Sequence, residues 1–434
     1  MEPINALPSG GLNARRLVFG ILLLLAAAEF VVRGPLRYLR PTNWNDLAQY
    51  YGTSRLWLRG QNFTSPELFS TMWRDEVGEA PNPKSPRLHV APPPGVLVLF
   101  APIAAMPWPA ARLAWFGVLL AGFAATVASL LQVAGLSLAS PRGLALTAGC
   151  LALAPFHTGM ATGNQTILVV GLCAFGIWAA RGERDLIAGI SFGVACSMKP
   201  HIAGFFLLYY LLRRRWRLLI TSAALMTILV VVAAAWMRLS GVHWLAGYLD
   251  NIKFGATRNS IDDFTTANPI RFMLINLQVP FYSFTHNAAH SNLLALLVGL
   301  ALVVTWIVLL LKRRSQDLEL LSLSTIAVIG LLPLYHRLYD ASVLAIPLCW
   351  CLIHPLFLKR VSRVALLLMA PFLVPSAAIL QQLTLWGRLP TFLTESWWWS
   401  RLLMPMQTWL LLALSIVLLY GMAQHGGRLH EQPR

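Results

Sequence analysis

Apolar segments long enough to cross a lipid bilayer recur along almost the whole sequence, and short groups of arginine and lysine separate them. Of the 434 residues, 57% are hydrophobic and only 12% are charged, with a mean hydropathy of +0.62. Soluble domains carry about 25% charged residues, so this composition excludes a soluble fold. The sequence predicts an all-α polytopic membrane protein in which residues 1–434 form one domain.

We expect about twelve transmembrane helices from the positions of the apolar segments. They lie near residues 17–33, 111–135, 143–160, 165–181, 186–199, 200–212, 217–237, 291–311, 318–335, 338–356, 362–382 and 404–423. The fifth and sixth segments together measure about 40 Å as helix, which is too short to cross a core of about 30 Å twice. They predict a shallow hairpin whose tip, Lys199-Pro200-His201, ends at membrane depth.

The positive charges predict the orientation of the chain. The net charge of +17 lies in short clusters such as Arg213-Arg214-Arg215, a pattern typical of topology-setting loops rather than of nucleic-acid binding. With both termini in the cytoplasm, 17 Lys and Arg residues lie inside and 8 outside, once the long first outer loop is left out. Residues 34–110 and 238–290 then face outward, and we expect interfacial helices at 44–59 and Val96–Trp108.

Two features suggest other interpretations of the chain. Arg15-Arg16 and the apolar run after them imitate a signal peptide, but the run is long enough to be a retained first helix. All five cysteines lie in apolar runs with no metal-site spacing, so we expect small buried side chains and no disulfide.

Several short motifs occur in an order that resembles glycosyltransferase family 87, a branch of the GT-C superfamily of membrane glycosyltransferases. They are NDLAQYYGTSRLWLRGQN, PPPGVLVLFAPIAAMP, TGNQTILVV, AGISFGVACSMKPHIAGFFLLYYLLRRRWR and YHRLYDASVLAIPL, which together cover most of residues 40–350. The resemblance implies a GT-C-type bundle and an inverting transferase that takes mannose or arabinofuranose from a polyprenyl-phosphate donor. The catalytic aspartate would lie in the first outer loop, where Asp46 matches, and His336 matches an outer-side histidine.

The resemblance also implies partners and a location. The donor would be lipid-linked, the acceptor a lipid or a glycan, and the enzyme would work at the outer face of a bacterial inner membrane. The donor is a polyprenyl-phosphate sugar, so we expect no cofactor. No acidic motif requires a metal, and no nucleotide-phosphate loop supports a nucleotide-sugar donor.

Transfer from a phosphate-linked sugar requires one general base for the acceptor hydroxyl. The leaving phosphate is a weak base, so cations must stabilise its charge and no general acid is needed. Asp46 is the candidate base. The candidate substrate-binding residues are Lys199, His336, Arg337, Gln165 and His89.

Each candidate also has a structural interpretation. Asp46 is equally suited to the first turn of a helix, where a carboxylate offsets the helix dipole. Lys199 at membrane depth would either contact a lipid phosphate, pair with a carboxylate or extend to the interface. His336 and Arg337 would belong to an outer turn with a local Arg–Asp pair to Asp340, and Gln165 would cap a helix.

Two other classes of protein remain open from the sequence. A transporter or lipid flippase would have the same composition, although the chain shows no internal repeat of the kind that transporters often have. A non-catalytic assembly protein would need neither Asp46 nor Lys199.

Overall fold

The computed structural model describes residues 10–40, 46–78, 92–255, 262–312, 318–353 and 358–425. These ranges contain α-helices and shorter helical turns, with no β-strand. The α-helices are α1 (Gly10–Arg33), α2 (Pro35–Tyr38), α3 (Asp46–Leu58), α4 (Pro66–Val77), α5 (Pro94–Ala104), α6 (Trp108–Ala134), α7 (Pro141–Ala152), α8 (Ala154–Thr162), α9 (Thr166–Arg181), α10 (Asp185–Met198), α11 (Pro200–Leu212), α12 (Trp216–Leu239), α13 (Leu245–Gly255), α14 (Gln278–Thr285), α15 (Ala288–Lys312), α16 (Glu319–Gly330), α17 (Ala345–Ile353), α18 (Lys359–Met369), α19 (Ser376–Leu385), α20 (Thr391–Thr394) and α21 (Met406–His425).

Within the described residues, five helical segments are long and apolar enough to cross a membrane. They are Trp108–Ala134, Trp216–Leu239, Ala288–Lys312, Lys359–Leu385 and Met406–Gln424. The helices α7 and α8 make a sixth if they form one span, which bends by 49° between them. The polytopic all-α fold is therefore confirmed, whereas the predicted count of twelve is not.

Among the described residues, the remaining predicted spans correspond to helices outside this set. The segment predicted at 17–33 lies within α1, and the others correspond to shorter apolar helices: Thr166–Arg181, Asp185–Met198, Pro200–Leu212, Glu319–Gly330 and Leu338–Ile353. A helix of 12 residues such as α16 is only about 18 Å long at 1.5 Å per residue. An apolar run in the sequence does not show where the helix ends within it.

The outer surface of α15 shows why this bundle needs a lipid environment. Leu293, Leu296, Leu297 and Leu300 are each more than half exposed and lie along one side of the helix. An apolar stripe of this kind on a water-soluble monomer would promote aggregation. The opposite side of α15 is buried through Ala295, Gly299 and other residues, so the helix has one protein face and one lipid face.

The core of the bundle lies around α9, which packs against α6 and α10. Gly122 of α6 and Gly171 of α9 meet at their crossing, where a Cβ added to Gly171 would lie 2.3 Å from the Gly122 carbonyl oxygen. Small residues allow membrane helices to approach closely enough for backbone contact. This crossing fixes α9, and the first residues of α9 contribute to the site described below.

The two segments predicted as interfacial helices overlap with the helices α3 and α5, whose bounds differ from those predicted. Residues 44 and 45 of the first lie outside the described residues, and the helix begins at Asp46. Val96, Leu97 and Phe100 of α5 are at most 1% exposed because the helix packs against α3 and α12. One face of α5 therefore packs against the protein, while Pro102 of the same helix is exposed.

The predicted break at Lys199 is confirmed. Lys199 has φ −140° and ψ 82°, and it is the single non-helical residue between α10 and α11. Pro200 begins α11 at a position where a missing N–H carries no cost. The helix α10 packs between α9 and α12, while α11 packs against α16.

Charged side chains gather at both ends of the bundle. At one end, Arg181 pairs with Glu319 at 3.3 Å, and Arg215 pairs with Asp185. At the other end, residues 274–277 lie against residues 332–337, with the Ile275 N–H donating to the His336 carbonyl at 3.0 Å. This second end carries the candidate site.

Candidate active site

Four separate parts of the chain meet at this end of the bundle. They are the start of α3, the turn between α8 and α9, the break at Lys199, and residues 335–340. The hydrogen bonds that join them link residues 118, 174 and 141 positions apart in the sequence. The candidates brought together are Asp46, Gln165, Lys199, His336 and Arg337, whereas His89 lies outside the described residues.

Asp340 is the centre of the arrangement. Its Oδ1 accepts from Lys199 Nζ at 2.6 Å and faces the Thr166 hydroxyl at 2.7 Å. Its Oδ2 lies 3.2 Å from His336 Nδ1 and accepts the Arg337 backbone N–H at 3.1 Å. The residue is 1% exposed. A carboxylate has about four acceptor positions, and here all of them face donors.

His336 is completely buried, and both of its ring nitrogens are in contact with oxygen atoms. Its Nε2 lies 3.1 Å from the Gly330 carbonyl, opposite the contact of Nδ1 with Asp340. Both partners are acceptors, so the ring satisfies both contacts only when both nitrogens carry hydrogen. In this arrangement His336 holds Asp340 in place and has no nitrogen left for a substrate.

Lys199 is 5% exposed and is paired with Asp340, which is the carboxylate-pairing alternative expected from the sequence. Its ammonium also lies 4.7 Å from the centre of the Tyr339 ring. An ammonium has three hydrogens, and the hydrogen bond to Asp340 uses one. The pairing therefore leaves Lys199 with hydrogens to donate to a further acceptor.

Asn164 connects this buried cluster to Asp46. Its side-chain oxygen accepts from the Thr166 N–H at 2.9 Å and faces the Thr166 hydroxyl at 2.7 Å, an Asx turn at the start of α9. Its amide nitrogen donates to Asp46 Oδ2 at 2.6 Å. The Thr166 hydroxyl has one hydrogen, so it donates either to Asn164 or to Asp340.

Asp46 is the first residue of α3 and therefore lies in the first turn of the helix. This is the position that the structural interpretation of Asp46 predicted. Its side chain is half-buried and is directed to Asn164, far from α3 in the sequence. Among the described residues Asp46 has this one hydrogen bond. Its carboxylate is thus held in a defined position with most of its acceptor capacity unused.

Gln165 does not cap α9 with its side chain. Its amide nitrogen donates to the Met198 carbonyl at 3.0 Å, next to the break at Lys199. Its side-chain oxygen is buried and has no hydrogen-bond partner within the described ranges. Gln165 therefore stabilises the end of α10 and keeps one acceptor unused.

A ring of half-buried side chains surrounds the buried cluster. The Arg337 Nε donates to the Tyr335 hydroxyl at 2.6 Å, and Tyr335 also hydrogen-bonds Asp262. Burial raises the pKa of Asp262, and the Tyr335 hydroxyl and Arg337 oppose that rise. We call Asp46, Tyr335, Arg337 and Asp262 the rim, since all four are half-buried.

Sequence reasoning missed several of these residues. Asn164 was not singled out as a site residue, although Asn-X-Thr before a helix predicts an Asx turn. Thr166 and the aromatic residues Tyr335 and Tyr339 were not singled out. Asp340 was considered only as the partner of a local arginine, while its main contacts come from other helices.

One group of side chains has the spacing of a metal site. His201, His336 and Asp340 each offer a ligand atom within 4.8 Å of the others. The Lys199 ammonium lies 2.6 Å from the same carboxylate, so a divalent cation there would meet a positive charge at contact distance. The donor set therefore fits an internal ion cluster better than a metal.

Comparison with known proteins gave one match. The model of glycosyltransferase family 87 matches residues 92–334, which is more than half of the chain. This range contains Asn164, Gln165, Lys199 and Asp262, and it ends just before residues 335–340. Searches of curated proteins and of solved structures found no match.

Proposed function

The chain belongs to glycosyltransferase family 87 and is thus a membrane glycosyltransferase with a sugar donor and an acceptor, and from this premise we propose its reaction. The protein transfers mannose or arabinofuranose from a polyprenyl-phosphate donor to a lipid-linked or glycan acceptor, with inversion at the anomeric carbon. The observation that carries the proposal is the half-buried Asp46 carboxylate beside a buried, cation-containing cluster.

Asp46 is the proposed general base. The acceptor hydroxyl attacks the anomeric carbon and gives its proton to a carboxylate oxygen, while the bond to the phosphate breaks. The hydrogen bond from Asn164 at 2.6 Å fixes the carboxylate, and the other oxygen stays available for the proton. Asp262 is the nearest alternative base, since it belongs to the same rim.

Lys199 and Arg337 are the proposed contacts for the donor phosphate. As the sugar leaves, negative charge grows on the phosphate oxygens, and fixed cations stabilise it more than water does. Lys199 donates the hydrogens not used by Asp340, and Arg337 offers a half-buried guanidinium on the rim. His336 acts through Asp340, and Gln165 offers its unused side-chain oxygen to a sugar hydroxyl.

The proposed location is the outer face of a bacterial inner membrane, with both termini in the cytoplasm. The proposed topology requires the site residues to lie on the same side of the membrane. This is supported by the contacts that join Asp46, Asn164, Lys199 and residues 335–340 at one end of the bundle. In a background lacking the five native cysteines, Ser85→Cys should react with an impermeant thiol reagent added to intact spheroplasts. Labelling from the cytoplasmic side alone would reverse the orientation.

Purified protein incubated with a panel of labelled polyprenyl-phosphate sugars and membrane-lipid acceptors tests the function. Transfer of label from any donor to an acceptor supports the proposal. If proteoliposomes instead move labelled lipid or solute across the bilayer with no transfer, the protein is a transporter and the proposal fails.

A further inference from the structure

A cavity of about 410 Å³ lies next to α8, on a different face of that helix from the one that meets the candidate active site. Gly159 of α8 approaches Tyr339, with 3.4 Å between an added Cβ and the tyrosine Cβ. Ala154, His157 and Ala161, which line the cavity, lie on the opposite side of the helix. The cavity is within the usual size range of small-ligand pockets, about 300–1,000 Å³.

Two arginines give the cavity its charge. Arg33 comes from the last turn of α1 and Arg37 from α2, and none of the residues that line the cavity is acidic. Arg33 also pairs with Glu29 one turn earlier at 2.7 Å, and Arg37 adds a second guanidinium to the cavity wall. Guanidinium groups bind phosphate oxygens in a bidentate manner, and the cavity is therefore suited to an anion.

His157 adds a hydrogen-bond acceptor to this cationic cavity. Its Nε2 lies 2.5 Å from the Leu151 carbonyl, so Nε2 carries the hydrogen and Nδ1 is an acceptor. His157 is 2% exposed, and Nδ1 has no hydrogen-bond partner within the described parts of the chain. An unused buried acceptor beside two arginines fits a ligand that carries a hydroxyl as well as a phosphate.

The cavity borders on the lipid-facing surface. Val31 and Val32, just before Arg33 in α1, are 44% and 57% exposed, and Ile379 of α19, which lines the cavity, is 40% exposed. A ligand in the cavity thus has apolar protein surface beside it. A free phosphate ion would make no use of this surface, whereas a lipid would place its acyl chains along it.

We infer that this cavity binds the headgroup of an anionic phospholipid, with the phosphodiester at Arg33 and Arg37 and a headgroup hydroxyl at His157 Nδ1. The site is separate from Lys199 and does not depend on the proposed transfer reaction. The two threonine hydroxyls at the cavity wall complete a polar surface for a hydroxylated headgroup.

Native mass spectrometry of the purified protein titrated with phosphatidylglycerol tests this inference. The double variant Arg33→Gln/Arg37→Gln should bind the lipid at least tenfold more weakly, since charge-assisted hydrogen bonds are lost. The matched control is Arg142→Gln/Arg388→Gln, which removes the same charge from two exposed positions and should bind as the wild type does. Equal binding by all three proteins overturns the proposal.

Other ligands and variants separate the possible sources of the signal. Phosphatidylcholine should bind at least tenfold more weakly than phosphatidylglycerol. The wild-type protein should bind phosphatidylglycerol more tightly than phosphatidic acid, which has no glycerol hydroxyl to offer His157. His157→Phe should abolish this preference. Inorganic phosphate that displaces the lipid at equal concentration would show an ion site and overturn the lipid assignment.

If the double variant does not give a monodisperse protein, Ala161→Leu replaces it. This change fills the cavity from α8 and keeps both arginines, and it should reduce phosphatidylglycerol binding to the level of phosphatidylcholine. Unchanged binding by a folded Ala161→Leu protein places the lipid elsewhere.

Discussion

Asp340 and Asp46 carry the same chemical group in two different surroundings. Both carboxylates contact the Asn164–Thr166 turn, Asp46 through Asn164 and Asp340 through Thr166. Asp340 is buried, and donors face all of its acceptor positions. Asp46 is half-buried and accepts one hydrogen bond among the described residues. A buried carboxylate that several donors surround holds structure together, whereas one that is fixed by a single hydrogen bond has acceptor positions left for a proton.

The largest expected effect is on Asp46. Asp46→Asn keeps the size and the first-turn position of the side chain but removes its ability to take a proton. Turnover of the purified enzyme should fall by about 10²- to 10⁴-fold with donor binding retained, which is the usual contribution of a general base. The matched control is Asp75→Asn, an exposed carboxylate on α4, which should keep wild-type turnover. Near-normal turnover of Asp46→Asn would move the search to Asp262.

Substitution of Asp340 should lower the stability of the protein and not only its turnover. Asp340→Ala leaves the buried Lys199 without its partner, and loss of one member of a buried ion pair costs roughly 3–5 kcal/mol. The double variant Lys199→Ala/Asp340→Ala should be less destabilised than the sum of the single variants by roughly 1–3 kcal/mol. Unfolding in detergent measures both, and additive effects would show that the pair is not coupled.

Lys199 belongs to the buried cluster by position, but the proposed mechanism also gives it a role in binding. Lys199→Ala should weaken donor binding by about 10- to 100-fold, because a charge-assisted contact with the phosphate is lost. Lys253→Ala is the control, since Lys253 pairs with Asp250 on the surface at 3.6 Å and should bind donor normally. If the stable double variant without Lys199 and Asp340 binds donor at full strength, Lys199 serves only the ion pair.

The smallest expected effect is on the residue that positions Asp46. Asn164→Ala removes the 2.6 Å hydrogen bond to Asp46 and should lower turnover by about tenfold with little change in donor affinity. The control is Asn62→Ala, because Asn62 makes the same Asx turn with Thr64 but has no contact with Asp46. Equal losses of turnover in both variants would mean that loss of an Asx turn, and not loss of the hydrogen bond to Asp46, lowers the turnover.

The sequence predicted the class of fold and part of the site for clear physical reasons. Apolar segments partition into lipid, where the backbone must form its hydrogen bonds within the segment. The recurring apolar segments therefore indicated a polytopic helical protein. The break at Lys199-Pro200 was also predictable, because a buried cation and a proline seldom interrupt an apolar run without a local cause. The family resemblance singled out Asp46 and His336, the unusual position of a lysine in an apolar run singled out Lys199, and the structure brings the three residues to one cluster.

The remaining features depend on contacts between distant parts of the chain. The four donors around Asp340 come from α9, from the break after α10, and from its own turn, and no local pattern encodes that meeting. For the same reason, the sequence left open whether Lys199 pairs with a carboxylate, and it did not identify Asp340 as the partner. Helix lengths were misjudged where apolar sequence continues past a helix end, as after Gly330.

The ion pair between Lys199 and Asp340 has a consequence for the order of biosynthesis. The segment α10–α11 is mostly apolar and Lys199 is its one lysine or arginine, so a translocon meets it as one candidate span with a single such cation near its middle. The carboxylate that neutralises this cation is made 141 residues later. Until then the lysine lacks this partner, and an unpaired cation in an apolar segment is costly. The ion pair that joins these two helices to residues 335–340 therefore forms only after residue 340 has been synthesised, and a chain that stops before it lacks the pair.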